Sequence, residues 1–256
     1  MSEGAAFTGE RLHVDDALFA VDLARHQAAY ELARTQLGAG RVLDFGCGSG
    51  YGASSLARRH PRVVGVDRIR PDRAHRNASY FVTADLRSSP LARDAFQLAL
   101  SFQVIEHLED PHPYLANLAG AVSRDGLAIV TTPNVLMSDG VNPYHVHEYR
   151  AEELAKHLRQ HFGEVEMRGI GASDAVRAHL EARSQRIRRI MRLDPLGLRE
   201  RLPRGLVEWL FARFAVLVRH RAAGHESVPA VSWHDFPVGP ADDACLDLLA
   251  FCRRPV

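Results

Sequence analysis

The sequence predicts an α/β fold: a doubly wound, mostly parallel sheet of seven strands, with an N-terminal helix in front of it and a helical insertion before the last strand. Three observations carry this. From Arg41 onward, short apolar runs alternate with stretches of helical periodicity. The runs are apolar at consecutive positions, as strands buried on both faces are; a half-exposed strand would alternate. The first run passes directly into a glycine-rich loop that opens a helix, the order of a βαβ unit.

Taken in order, residues 16–37 read as an amphipathic helix. Ala17, Val21, Ala24, Ala28 and Leu32 recur at helical spacing, and the glycines of Leu37-Gly38-Ala39-Gly40 end it. Val42-Leu43-Asp44-Phe45 is the first strand, Gly46 to Gly50 a tight loop, and residues 51–60 a helix. Strands follow at Val63 to Asp67, Tyr80 to Val82 and Gln97 to Phe102. A helix opens at Pro111 and runs to about Val122, before the strand Leu127 to Val130. Ala151 to His161 is a helix, Glu164 to Met167 the sixth strand and Cys245 to Cys252 the seventh. Between about Gly171 and Pro240 the alternation fails, and this stretch reads as an Arg-rich helical cap inside a single domain spanning residues 1–256.

Composition bounds the function. With 46% hydrophobic and 25% charged residues, the 256-residue chain has the make-up of a soluble globular protein. No apolar stretch approaches the roughly 18 residues of a membrane span. The start lacks the basic flank and apolar core of a secretory signal, and three cysteines (Cys47, Cys245, Cys252) form neither a closed disulfide set nor a CxxC pair. The expectation is a cytoplasmic protein. A net charge of +1 gives no global signal for nucleic acid. Locally, residues 183–221 hold eleven arginines against Asp194, Glu200 and Glu208. Within them Pro203 can open a helix with Leu206, Val207, Leu210, Phe211, Phe214, Leu217 and Val218 on one arc. Packing onto its own domain is the first reading of that helix, with peripheral contact to a membrane or lipid substrate the second.

The chemistry begins at Gly46-Cys47-Gly48-Ser49-Gly50. Glycines allow the backbone to turn sharply and approach a ligand, while the next helix presents its amino end. A dinucleotide fold would place the third glycine one position later, where Tyr51 stands. Asp44, two residues before the loop, would repel a pyrophosphate and suit an ammonium or sulfonium group. Asp67 ends the second strand, where its two oxygens can accept both hydroxyls of a ribose. Asp85, after the third strand, is placed for an adenine edge.

Together, Val42 to Gly50, Val64-Gly65-Val66-Asp67 and Ala84-Asp85-Leu86 resemble the successive cofactor motifs of class I S-adenosylmethionine methyltransferases, which have a Rossmann-like fold. Ser101 to Leu108 resembles the motif after their fourth strand, and Thr132-Pro133-Asn134 the end of their fifth. The resemblance covers roughly Phe7 to Gly169. It implies that Asp44, Gly46, Gly48 and Gly50 bind the methionine moiety of S-adenosyl-L-methionine, Asp67 the ribose, and Asp85 and Leu86 the adenine. Phe102 and Gln103 would line the reactive end. Residues 1–40, with Phe7-Thr8-Gly9-Glu10-Arg11 and the helix carrying Arg25, His26 and Tyr30, resemble the segment that covers the cofactor.

Candidates for catalysis cluster in two loops: Glu106 and His107 after the fourth strand, His145 and His147 after the fifth. Histidine titrates near neutrality and suits removal of a hydroxyl proton. In ubiquinone-type O-methyltransferases and small-RNA 2′-O-methyltransferases a similar ExxEH motif binds a divalent metal, joined in the latter by a later histidine. That implies a site for a cation such as magnesium at Glu106, His107 and His145, with Gln103 in place of the first carboxylate. The expected function is O-methylation of a sugar hydroxyl in a glycan, glycolipid or glycosylated metabolite, the sugar resting on the resemblance of the Asn142 to Tyr149 segment. Three alternatives stand beside it: N-methylation of an amine or amino sugar, 2′-O-methylation of RNA, and a cofactor-binding protein without catalysis. Nucleic acid is the weakest partner, since no RNA module or stacking platform is apparent.

Overall fold

The computed structural model describes residues 20–88, 90–140, 142–191 and 230–256. The segment Phe7 to Arg11 and the helix opening at Pro203 lie outside them. Eight strands form one sheet: β1 (Val42–Phe45), β2 (Val63–Asp67), β3 (Tyr80–Thr83), β4 (Phe96–Phe102), β5 (Val122–Pro133), β6 (Phe162–Ile170), β7 (Val238–Pro240) and β8 (Asp247–Pro255). The described helices are α1 (Ala20–Thr35), α2 (Tyr51–Ala57), α3 (His112–Ala121), α4 (Ala151–Leu158) and α5 (Asp174–Met191).

The order across the sheet is β3-β2-β1-β4-β5-β8-β6-β7. Strands β1 to β5 pair in parallel, whereas β8 runs antiparallel between β5 and β6. The chain moves outward from β1 to β3 and returns to β4 on the other side of β1. That switch point opens a crevice at the carboxyl ends of β1 and β4, where open α/β sheets bind ligands. The sheet has one strand more than the seven expected. Val238-Gly239-Pro240 pairs with Arg168 to Ile170 at the exposed edge, and a three-residue strand held by backbone bonds leaves no apolar run to read.

Alternation along the buried strands builds two cores, one on each face of the sheet. Val42 of β1 and Leu98 and Leu100 of β4 join Ala28 and Ala33 of α1 and Ala53 and Leu56 of α2. Leu43, Phe45 and Ala99 point the other way, to Tyr114, Leu115 and Leu118 of α3 and Leu154 of α4. Each fully buried Leu, Ile or Phe contributes roughly 1.5–3 kcal/mol. The alanines of α1 let it approach α2 closely, and Gly52 completes the fit: a Cβ there would lie 1.9 Å from Tyr30 Cζ. The Tyr30 ring is 4% exposed and cannot swing clear. Gly52→Ala should therefore lower stability by about 1–3 kcal/mol through overpacking, read as a fall in the melting temperature by circular dichroism.

Candidate active site

The loop after β1 is shaped by its glycines. Gly46, Gly48 and Gly50 have φ of 96°, 52° and 86°, in the left-handed region that disfavours side chains. A Cβ on Gly46 would also meet Val104 Cγ2 at 2.3 Å, whereas one on Gly48 would meet nothing within 4 Å, so the loop is open on that side. The Gly48 N–H donates to Asp67 Oδ2 at 2.9 Å and the Ile69 N–H to Oδ1 at 3.0 Å. Asp67 thereby pins the loop to the end of β2, and each oxygen keeps a further lone pair.

Asp44 is buried within β1, 1% exposed. The Tyr30 hydroxyl of α1 donates to its two oxygens at 3.0 and 3.2 Å. Burial pushes the Asp44 carboxyl up to about 7; the Tyr30 bond opposes that rise and the nearby Asp67 charge adds to it. Around this pair stands an aromatic group. Tyr30 and Phe102 are 4.9 Å apart edge to face, Tyr30 and Tyr51 5.7 Å, and His26 and Tyr30 5.3 Å. Burial, with Arg25 alongside, holds His26 down at about 4, so its ring is neutral where Nδ1 meets the Tyr51 hydroxyl. Tyr51 has no role in the sequence reading beyond breaking a dinucleotide pattern, yet it closes this wall.

Asp85 stands at the rim. Its carboxylate is held by Arg87 at 2.7 Å, and hydrogen bonds from the Arg87 side chain and backbone keep it down at about 2. Leu86 is half-buried, and its carbonyl accepts the Asn117 amide at 3.0 Å. Gln103 follows β4 with φ of 57°, a strained conformation for a residue with a side chain. Its amide lies 3.4 Å from Thr131 Oγ1.

Beyond Gln103 the structure assembles Glu106, His107 and His145. One potential ligand atom from each lies within 4.8 Å of the others. Glu106 and His107 sit on a 3₁₀ turn (Ile105–His107), and the Glu106 carbonyl accepts the N–H groups of Val146 at 2.8 Å and His147 at 3.1 Å. Those two bonds bring the loop after β5 over the turn. Glu106 is fully buried; Thr132 Oγ1 donates to Oε2 at 2.9 Å, and Oε1 has no hydrogen-bond partner among the described residues. Burial raises the Glu106 carboxyl, against the lowering influence of His107 and His145. His107 Nδ1 donates to the Tyr144 carbonyl at 3.0 Å, and His145 Nδ1 meets Glu148 Oε1 at 2.5 Å. Both rings are therefore braced through Nδ1, which leaves Nε2 as the lone-pair nitrogen. Glu148 also accepts from Ser138 Oγ at 2.8 Å; burial would raise it, and the bonds from His145 and Ser138 outweigh that and lower it.

The other expected base is placed elsewhere. His147 is half exposed, pairs with Glu153 at 2.7 Å and rests on the Tyr149 ring, so it does not join the group. Two further acids lie beside it: Glu148, which the sequence reading includes in the Asn142 to Tyr149 segment without a role, and Asp247 at the start of β8, which it passes over, 3.5 Å from Arg25 Nε.

A glycine loop at the switch point of a doubly wound sheet, with a buried carboxylate just before it, defines a Rossmann-like fold whose ligand edge lies at the carboxyl ends of β1 and β4. A family model described as a methyltransferase domain matches residues 22–184, and the chain belongs to that family. A probable S-adenosylmethionine-dependent methyltransferase of Mycobacterium tuberculosis is 34% identical over 160 residues, 59% of this chain and 58% of the relative. The chain thus aligns with less than two thirds of that relative's length. One of Mycolicibacterium smegmatis is 32% identical over 180 residues, 63% of this chain and 70% of the relative. A ubiquinone biosynthesis O-methyltransferase of Bradyrhizobium diazoefficiens is 33% identical over 107 residues, 38% of this chain and 42% of the relative. Among solved structures, a SAM-dependent methyltransferase of Thermotoga maritima shares the fold with a TM-score of 0.56 at 13% identity, covering 92% of each chain.

The raised Asp44 carboxyl has a measurable consequence. An acid lifted from 3.8 to about 7 binds its proton more tightly when folded. Its contribution to the stability of the free protein is present at acid pH and is lost as pH rises toward 7. An ammonium beside Asp44 favours the charged form, so ligand binding should expel the proton. Affinity for S-adenosylhomocysteine should rise by up to about tenfold per pH unit between roughly pH 5 and 7, then level off. Asp44→Asn should bind more weakly and flatten this dependence; calorimetry across pH checks both.

Proposed function

We propose that this chain is an S-adenosylmethionine-dependent O-methyltransferase whose acceptor is a sugar hydroxyl in a glycan, glycolipid or glycosylated metabolite. The observation that carries the oxygen nucleophile is the braced His145–Glu148 pair. It stands beside Glu106 and His107 at the same sheet edge as the donor loop. An amine acceptor needs no strong base, whereas a hydroxyl must lose its proton near the transition state. The partial likeness to a ubiquinone biosynthesis O-methyltransferase agrees with oxygen. The sugar rests on the resemblance of the Asn142 to Tyr149 segment.

The reaction is an in-line displacement at the methyl carbon of the sulfonium, so alignment and exclusion of water are the protein's main work. The glycine loop, Asp44 and Tyr30 hold the amino-acid tail, Asp67 the ribose, Asp85 and Leu86 the adenine, and Phe102 and Gln103 border the methyl group. His145 accepts the hydroxyl proton at Nε2, and Glu148 stabilises the imidazolium that forms.

Glu106, His107 and His145 also fit a divalent cation. The bare buried Oε1 of Glu106 and two imidazoles braced through Nδ1 are what such a ligand set requires. Two nitrogens and one oxygen suit manganese or zinc better than magnesium. A bound cation would supply Lewis-acid polarisation of the acceptor oxygen, and His145 would then serve as its ligand in place of the base.

The test is transfer of labelled methyl from S-adenosylmethionine to carbohydrate fractions of the source organism, with products identified by mass spectrometry. Label on a sugar oxygen supports the reading; label on nitrogen alone overturns it. His145→Ala should lower turnover by roughly 10²–10⁴-fold while S-adenosylhomocysteine binding persists. Unchanged turnover would remove His145 from both roles.

A further inference from the structure

Asp247 begins β8, which runs antiparallel to both β5 and β6. Being antiparallel, β8 brings its first residue to the edge where β1, β4 and β5 deliver their last. Asp247 faces Pro133 across β5 and Ile170 across β6. On the other flank, the same end of β5 meets the cation group: Thr132 donates to Glu106, and Thr131 is the neighbour of Gln103.

The Asp247 side chain is 3% exposed. Its Oδ1 is buried and has no hydrogen-bond partner among the described residues; Glu106 Oε1 is in the same condition. Two buried carboxylates with one bare oxygen each, flanking one strand end, are costly unless a positive species meets them. Arg25 is at hand but shared. The same guanidinium faces Asp22, Glu106, Asp139 and Glu148 as well as Asp247. Of these acids, Asp22 also pairs with Arg183 at 3.4 Å and Glu148 with His145 at 2.5 Å. Burial raises the Asp247 carboxyl, and Arg25, Gln103 and His145 work against that rise, which ties it to the cluster.

We infer that Asp247 is a positioning residue of the cation site, supplying a second carboxylate charge beside Glu106, His107 and His145. The inference rests on the cation reading above. Asp247 is not among the three residues at ligand spacing. It acts one step out, its bare oxygen accepting a hydrogen bond from a water on the cation, since hard cations keep part of their hydration shell. Asp247 thus adds negative charge to a ligand set that has a single carboxylate.

Manganese alone is the probe, followed by loss of the free-ion electron paramagnetic resonance signal on the full chain, with S-adenosylhomocysteine calorimetry run in parallel. Wild type should bind Mn²⁺, and Asp247→Asn should weaken it by about tenfold or more with nucleoside affinity unchanged. Adding Gln103→Glu to that variant returns a carboxylate to the same strand-end edge and should recover most of the loss. Absence of Mn²⁺ binding to wild type overturns the cation reading and this inference together. Binding by wild type and Asp247→Asn alike overturns this inference alone. A joint loss of metal and nucleoside, or a loss that Gln103→Glu does not recover, assigns Asp247 to the Arg25 ion pair and overturns it too.

Discussion

A carboxylate in the middle of a fully buried strand is the constraint around which this protein is arranged. Burying Asp44 without a partner would cost several kcal/mol, and its neighbours on β1 and β4 are apolar. The hydroxyl that answers it comes from Tyr30, so α1 must lie across the end of β1 at one height and one rotation. Reaching that position requires small residues on the face of α1 and no side chain at Gly52. The ring that delivers the hydroxyl then packs on Phe102 and Tyr51. One buried charge therefore sets a helix position, a glycine and an aromatic wall.

The rest of the site follows from strand direction. Parallel strands bring their carboxyl ends to a common edge, so the glycine loop, Asp67 and the Gln103 to His107 segment meet there although they are far apart in sequence. The loop after β5 is drawn to the same edge by two backbone bonds to the Glu106 carbonyl. That tether makes the position of His145 depend on the backbone of the very residue whose side chain it faces. The edge is a mesh in which backbone bonds set spacing and side chains supply chemistry.

Much of this was legible in the sequence, for identifiable reasons. Short apolar runs marked most of the seven expected strands, and the alternation of Glu164 to Met167 marked the sixth. The glycine loop announced itself because it follows one of those runs directly, with acids in register after the next two. What escaped has physical causes. Val238-Gly239-Pro240 forms a strand through edge backbone pairing, which leaves no hydrophobic signature. Asp247 falls inside the strand expected from Cys245 to Cys252 and carries no signal there, because the direction of β8 is a tertiary property, and only that direction takes its first residue to the ligand edge. His145 and His147 look alike as letters in one loop. Backbone bonds turn one inward and leave the other exposed against Glu153. Tyr51 shows its use only once α1 is in place.

The two ends of the site answer buried charge with different partners, and that bears on the acceptor. At the donor end burial lifts Asp44 close to neutrality, and it can charge when an ammonium arrives, so its burden in the free protein is small. At the far end burial likewise raises the carboxyls of Glu106 and Asp247, and Arg25, His107 and His145 work against that rise. The bare oxygens there, Glu106 Oε1 and Asp247 Oδ1, are acceptors in need of a donor or a cation. Under the proposed reading a neutral polyhydroxylated acceptor can donate hydroxyls to them, while the braced His145 takes the proton of the one that reacts.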